Sequence, residues 1–222
     1  MGKSIYSLAL SDEVVAQIDR AAYRAGLSRS AMVNRILAGY ASCVTPEERA
    51  QGIYHRVILA LQSEEERFRV QSSASALTLR TALAYKYNPT LRYSVELTAP
   101  ENAGRDRCRI GELRISLRSR NEELMMLFAR FFSLWNWSES MNGAGGGVWD
   151  GGGRWCRSLL LRREEQESLS EEEMAEALLS YVRLLDTALS LYFSGLESET
   201  ESALNIENLY ETYLKQGGLV FG

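Results

Sequence analysis

His55 is the only histidine in the 222 residues, and the three cysteines, Cys43, Cys108 and Cys156, stand far apart. A metal centre draws its ligands from short, recognisable spacings, and no such grouping of His and Cys occurs in this sequence. Acyl or phosphoryl transfer asks for a nucleophile beside a base, or for a glycine-rich turn that runs into a helix carrying Lys and Ser or Thr. The run Gly143 to Gly153, GAGGGVWDGGG, has the glycines without the Lys or the hydroxyl. It reads as a flexible loop, with Trp149 and Trp155 placed either to close over a pocket or to anchor its ends. His55 falls beside the apolar stripe of a helix and reads as a surface or interface residue. The expectation is a protein without catalytic residues, metal or cofactor, and not an enzyme.

The informative side chains lie at the front of the chain. From Lys3 to Leu10 the residues alternate, Tyr6, Leu8 and Leu10 facing one way and Lys3, Ile5, Ser7 and Ala9 the other, which predicts a strand. Ser11 then offers an N-cap with Asp12 and Glu13 in the first turn, and Val14, Ile18, Ala22 and Ala25 recur at helical spacing up to Gly26. Ser28 opens a second helix with Met32, Val33, Ile36, Leu37 and Tyr40 on one side. A lone strand leaves its backbone groups without partners, and about forty residues are too few for a self-sufficient core. Both demands are met if two copies pair their strands antiparallel. Tyr6, Leu8, Leu10, Ile18, Val33, Ile36 and Leu37 would then form a shared four-helix core, making the chain a homodimer or a higher even oligomer.

Strand, helix, helix, with LSDEVV at the first junction, the turn Gly26-Leu27-Ser28-Arg29-Ser30 and the apolar spacing through Tyr40, resembles the ribbon-helix-helix (MetJ/Arc/CopG-like) DNA-binding family. The resemblance covers residues 3 to 42, under a fifth of the chain. It implies that the two-stranded ribbon enters the major groove of double-stranded DNA with Lys3, Ile5, Ser7 and Ala9 toward the bases. It also implies that Ser28 and the amides of Arg29 and Ser30 grip a backbone phosphate. The exposed ribbon face departs from the family's usual long polar side chains, since of Ile5, Ser7 and Ala9 only Ser7 can hydrogen-bond a base. Ile5 and Ala9 suit thymine methyls, so the readout expected is A·T-biased. Residues 1 to 42 hold five basic and three acidic side chains, a weak electrostatic match to DNA. The reading is a transcriptional regulator, a repressor. The alternatives are an antitoxin-like protein that binds a partner through its C-terminal part, and a dimeric adaptor that does not bind DNA.

The elements behind this unit divide the chain into residues 1–44, a connector helix within 45–71, and a domain over 72–222. Thr45, Pro46 and Glu48 make a capping box for the connector, whose stripe is Ile53, Tyr54, Val57, Ile58 and Leu61. Alternation over 77–87 and 91–97 about Asn88-Pro89-Thr90 predicts a hairpin, and Leu113, Ile115 and Leu117 a third strand beyond a polar loop, ENAGRDR. Arg157 to Arg162 suggests a fourth. Ser119 and Glu122 box a helix with Leu124, Leu127, Phe128, Phe131, Leu134 and Trp135, which should cover the sheet. The fold class expected is α+β, with a three- to four-stranded antiparallel sheet packed with helices. Arg80, Lys86, Arg92, Arg114 and Arg118, with Glu96 and Glu112, mark its solvated face and suit cross-strand ion pairs. Ser170 with Glu173 and Ser198 with Glu201 cap two acidic helices over 170–216, and residues 160–222 hold four basic against thirteen acidic side chains. This part is assigned a protein or small-molecule partner of unspecified kind. No apolar run is long enough for a membrane span, and the scattered thiols suit a reducing compartment, so the expected location is the cytoplasm.

Overall fold

Helix signals in the sequence are used almost where they stand. The computed structural model describes residues 7–41, 44–62, 67–104 and 106–222. Helix α1, Asp12–Ala25, ends at Gly26, whose φ of 64° lets its N–H turn back to the carbonyls of Ala22 and Tyr23. Helix α2, Arg29–Tyr40, starts at Ser28, whose hydroxyl accepts from the Ala31 N–H at 3.2 Å. In α3, Pro46–Leu61, the capping box closes in both directions: Thr45 Oγ1 accepts from the Glu48 N–H, and the Thr45 N–H donates to Glu48 Oε2, each at 3.1 Å.

Then come β1 (Arg69–Ser72), β2 (Leu77–Ala82), β3 (Thr90–Asn102), β4 (Arg107–Leu117), α4 (Glu122–Met141), β5 (Val148–Trp149), β6 (Arg154–Arg162), α5 (Arg163–Ser168), α6 (Glu171–Ser194) and α7 (Glu199–Lys215). The strands form one antiparallel sheet in the order β1-β2-β3-β4-β6-β5. Its register aligns Leu79, Tyr93, Ile115 and Trp155 in one row and Leu77, Val95, Leu113 and Arg157 in the next. Period-two alternation therefore buries one face, and α4 and α6 lie over it. Phe132 of α4 stacks on Trp155 of β6 with ring centroids 4.9 Å apart, and Phe128 of α4 meets Phe193 of α6 at 5.4 Å. The other face carries the expected ion pairs, Arg114 bridging Glu96 and Glu112 while Arg109 also reaches Glu112.

Several expectations are corrected. The sheet has six strands among the described residues, because β1 begins inside the stretch read as connector and β5 lies inside the glycine run. Helix α3 is no free connector: Ala50, Ile53, Tyr54, Val57 and Leu61 are built into the main core. Strands β3 and β4 run on through part of the segment read as a polar loop, with a register shift between Leu97 and Glu101 and another between Arg109 and Gly111. The first hairpin strand stops at Ala82, since the Leu83 N–H turns to the Pro89 carbonyl and Tyr87 and Asn88 take φ of 65° and 45°. Helix α4 is capped by Asn121, whose Oδ1 accepts from the Leu124 N–H, in place of Ser119.

The glycine run is pinned where a flexible loop was expected. Asn136 of α4 accepts from the Gly147 N–H at 2.9 Å and donates to its carbonyl at 2.8 Å, and Trp155 Nε1 donates to the same Asn136 Oδ1 at 3.2 Å. A Cβ on Gly147 would stand 2.3 Å from Cε2 of the fully buried Trp155. Gly147→Ala should therefore destabilise by about 1–3 kcal/mol through overpacking. Chemical denaturation measures this, and a change below about 0.5 kcal/mol, the size of an ordinary surface substitution, would show that the loop yields.

Candidate nucleic-acid interface

The α1–α2 hairpin has a core of its own, distinct from that of the rest of the chain. Ile18, Ala22 and Met32 are buried in it, with Ala21, Leu27 and Val33 partly buried around them. Three buried side chains cannot satisfy two amphipathic helices. Leu8, Leu10, Val14, Ile36 and Leu37 all remain between 44% and 60% exposed, and an open groove along this side is lined by Val14, Gln17, Ile18, Ala21 and Ile36. The apolar stripe read from the sequence is present, and most of it faces outward in the single chain. Arg35 of α2 lies 3.5 Å from Glu48 at the start of α3, an ion pair linking the hairpin to the body.

The expected site residues are distributed as follows. Lys3, Ile5 and Tyr6 lie outside the described residues. Ser7, Leu8, Ala9 and Leu10 are exposed and irregular, with no strand pairing among the described residues, and the first regular elements that follow are helices. The physical reason is simple: among the described residues no neighbouring backbone of the same subunit offers this segment a ladder. Of the expected dimer core, Ile18 is buried and Val33 half-buried, whereas Leu8, Leu10, Ile36 and Leu37 are exposed.

Ser28, Arg29 and Ser30 come together at the start of α2, as the spacing required. The first N–H groups of a helix lack intrahelical acceptors and present partial positive charge, the arrangement that receives a phosphate. The Arg29 side chain, however, points to Asp19 of α1: Nε to Oδ1 and Nη2 to Oδ2, both 2.6 Å. Arg29's hydrogen bonds hold the Asp19 carboxyl below its usual range, while the pairing raises the guanidinium. Sequence reasoning missed this pair because ten residues and a turn separate its members.

It also missed the most deeply enclosed charges. Arg157 of β6 points into the core, against Glu139 of α4 and the hydroxyl of Tyr181 of α6; its Nη1 donates to Tyr181 Oη at 2.7 Å, and Tyr181 in turn donates to Glu139 Oε1. The two charged side chains are 1% and 0% exposed. Burial raises the Glu139 carboxyl, with Arg157 and Tyr181 opposing the rise, and burial pushes the Tyr181 hydroxyl well up. Such seclusion keeps solutes out, so the cluster's role is to tie two helices to a strand. A second buried carboxylate, Asp186 of α6, accepts from Tyr93 at 2.9 Å and from Arg67 at 2.8 Å. His55, on α3, is exposed and belongs to neither cluster.

Among the described residues no helix is long and apolar enough to cross a membrane. Comparison of the chain with protein-family models, with curated proteins and with solved structures finds no match.

Proposed function

We propose that the chain is a DNA-binding transcriptional regulator, a repressor, that works as a homodimer of the ribbon-helix-helix kind. The observation that carries the reading is the small helical hairpin with a three-residue core and an open apolar side, attached to a body that has a large core of its own. A second copy placing Leu8, Leu10, Ile36 and Leu37 against the first removes that side from water. Residues 3–10 of the two copies then pair as a ribbon, turning Lys3, Ile5, Ser7 and Ala9 to the base edges. Ser28 and the amides of Arg29 and Ser30 meet phosphates on either side.

A gel shift on the DNA upstream of the protein's own coding sequence tests this, at two salt concentrations. Wild type should bind with an affinity that falls steeply as salt rises. Ser7→Ala should weaken discrimination between sites, whereas Arg29→Ala, which keeps the backbone amide but leaves the Asp19 carboxylate unpaired beside the start of α2, should weaken all sites alike. Binding with no preference for any duplex, and unchanged by either substitution, would contradict the assignment. The Asp19 pair adds a directional expectation: Asp19→Asn releases Arg29 toward phosphate in each copy and should steepen the salt slope by about two units for the two half-sites together. A flatter slope in Asp19→Asn would place Arg29 away from the duplex.

A further inference from the structure

The largest departure from regular sheet geometry borders a cavity. Between Leu97 and Glu101 the β3–β4 register shifts, and Thr98 and Pro100, within the shifted stretch, line a cavity of about 580 Å³. The shift is built in: a Cβ on Gly111 would stand 2.1 Å from the Glu96 carbonyl oxygen, so β4 needs a glycine where it passes the displaced strand. Bulges of this kind re-aim side chains beside binding sites. A volume near 580 Å³ is that of a small-molecule site.

The lining is mainly apolar, with Pro46, Ala50 and Ile53 from α3, Leu97 and Ile110 from the sheet and Met174 from α6. Four charged side chains border it: Arg49, Arg163, Glu101 and Glu167. Glu101 is 68% exposed and also lies 4.0 Å from Arg109, which is outside the lining. Arg49 is held by one bond, Nη2 to the Leu169 carbonyl at 2.8 Å, and among the described residues the rest of its planar donor fork makes no hydrogen bond. Arg163 stands at the rim, exposed, as the first residue of α5. An apolar chamber with two guanidinium groups at its edge matches a molecule with a greasy body and one anionic end.

We infer that this cavity is a binding site for a small apolar acid, whose hydrocarbon part lies between α3 and the bulged strands and whose carboxylate meets Arg163 and Arg49. The assignment is independent of DNA binding by the hairpin. Its occupant touches Val44, Thr45 and Pro46, the residues through which the hairpin joins the body.

Isothermal titration of the full chain with decanoate, decanol and decylammonium tests it without any DNA. Decanoate should bind most tightly, decanol more weakly and decylammonium least. Arg163→Gln should weaken decanoate about tenfold, equal to roughly 1.4 kcal/mol, and leave decanol unchanged. Thr98→Trp, a substitution at an exposed position of the bulge, should fill the chamber and abolish binding of both while the circular dichroism stays that of wild type. No heat from any of the three probes, equal binding of decanoate and decylammonium, or decanoate binding untouched by both substitutions would overturn the assignment.

Discussion

Arg157→Met is expected to lower the stability of the fold by about 3–5 kcal/mol, because it leaves the Glu139 carboxylate buried with its cationic partner gone. For a chain of this length that corresponds to a fall in melting temperature on the order of 10 °C. The double variant Glu139→Leu/Arg157→Met should recover most of the loss, since apolar side chains of similar volume suit a site walled by Trp135 and Phe221. Arg157 Nε and Nη2 and Glu139 Oε2 meet no hydrogen-bond partner among the described residues, so the ion pair is not an ideal solution to begin with. The single variant should also acquire a pH dependence of known sign. A carboxyl raised by burial binds its proton more tightly folded than unfolded. The variant is then least penalised below the ordinary Glu value of 4.5 and loses stability as pH rises through the folded-state value. Chemical denaturation at pH 4 and pH 7 reads both effects. A single-variant loss under about 1 kcal/mol, or a double variant no better than the single, would show that the cluster is not what ties α4, β6 and α6.

Leu37→Glu is the second large effect, and it acts on assembly. Leu37 is 53% exposed in the single chain, so a carboxylate there is harmless to one subunit but must be buried twice in the proposed dimer. At roughly 2–3 kcal/mol per copy the dimer should weaken at least a hundredfold, and DNA binding should go with it. The α4–β6–α6 body should unfold as in wild type, because Leu37 is no part of its core. Sedimentation equilibrium at micromolar concentration gives the association state. A wild type that stays monomeric at tens of micromolar, or a variant that still dimerises, would remove the basis for the regulator.

These two tests fall on opposite sides of what could be read in the chain. Local rules placed α1, α2 and α3 well, because caps are written in adjacent residues: Ser28, Gly26, and Thr45 with Glu48. The alternation at Leu77, Leu79, Tyr93, Val95, Leu113 and Ile115 likewise marked the buried face of the sheet, since the period of two belongs to the strand itself. Less legible were β1 and β5, whose four and two residues are too short to show a period and exist only because a neighbouring edge pairs with them.

By itself the sequence determined the mixed α+β class, the starts of α1, α2, α3, α6 and α7 and the apolar stripe of the N-terminal hairpin, all properties of residues a turn or a strand apart. Only the tertiary structure decided that Arg157, in register with Leu113, faces inward to meet Glu139 from α4 and Tyr181 from α6. It alone set Asp19 against Arg29, pinned the glycine run on Asn136, and opened a chamber beside the bulge at Thr98. The physical reason is range: capping and periodicity act over a few covalent bonds, whereas partners for buried charge and the walls of a cavity come from whichever elements the packing brings face to face.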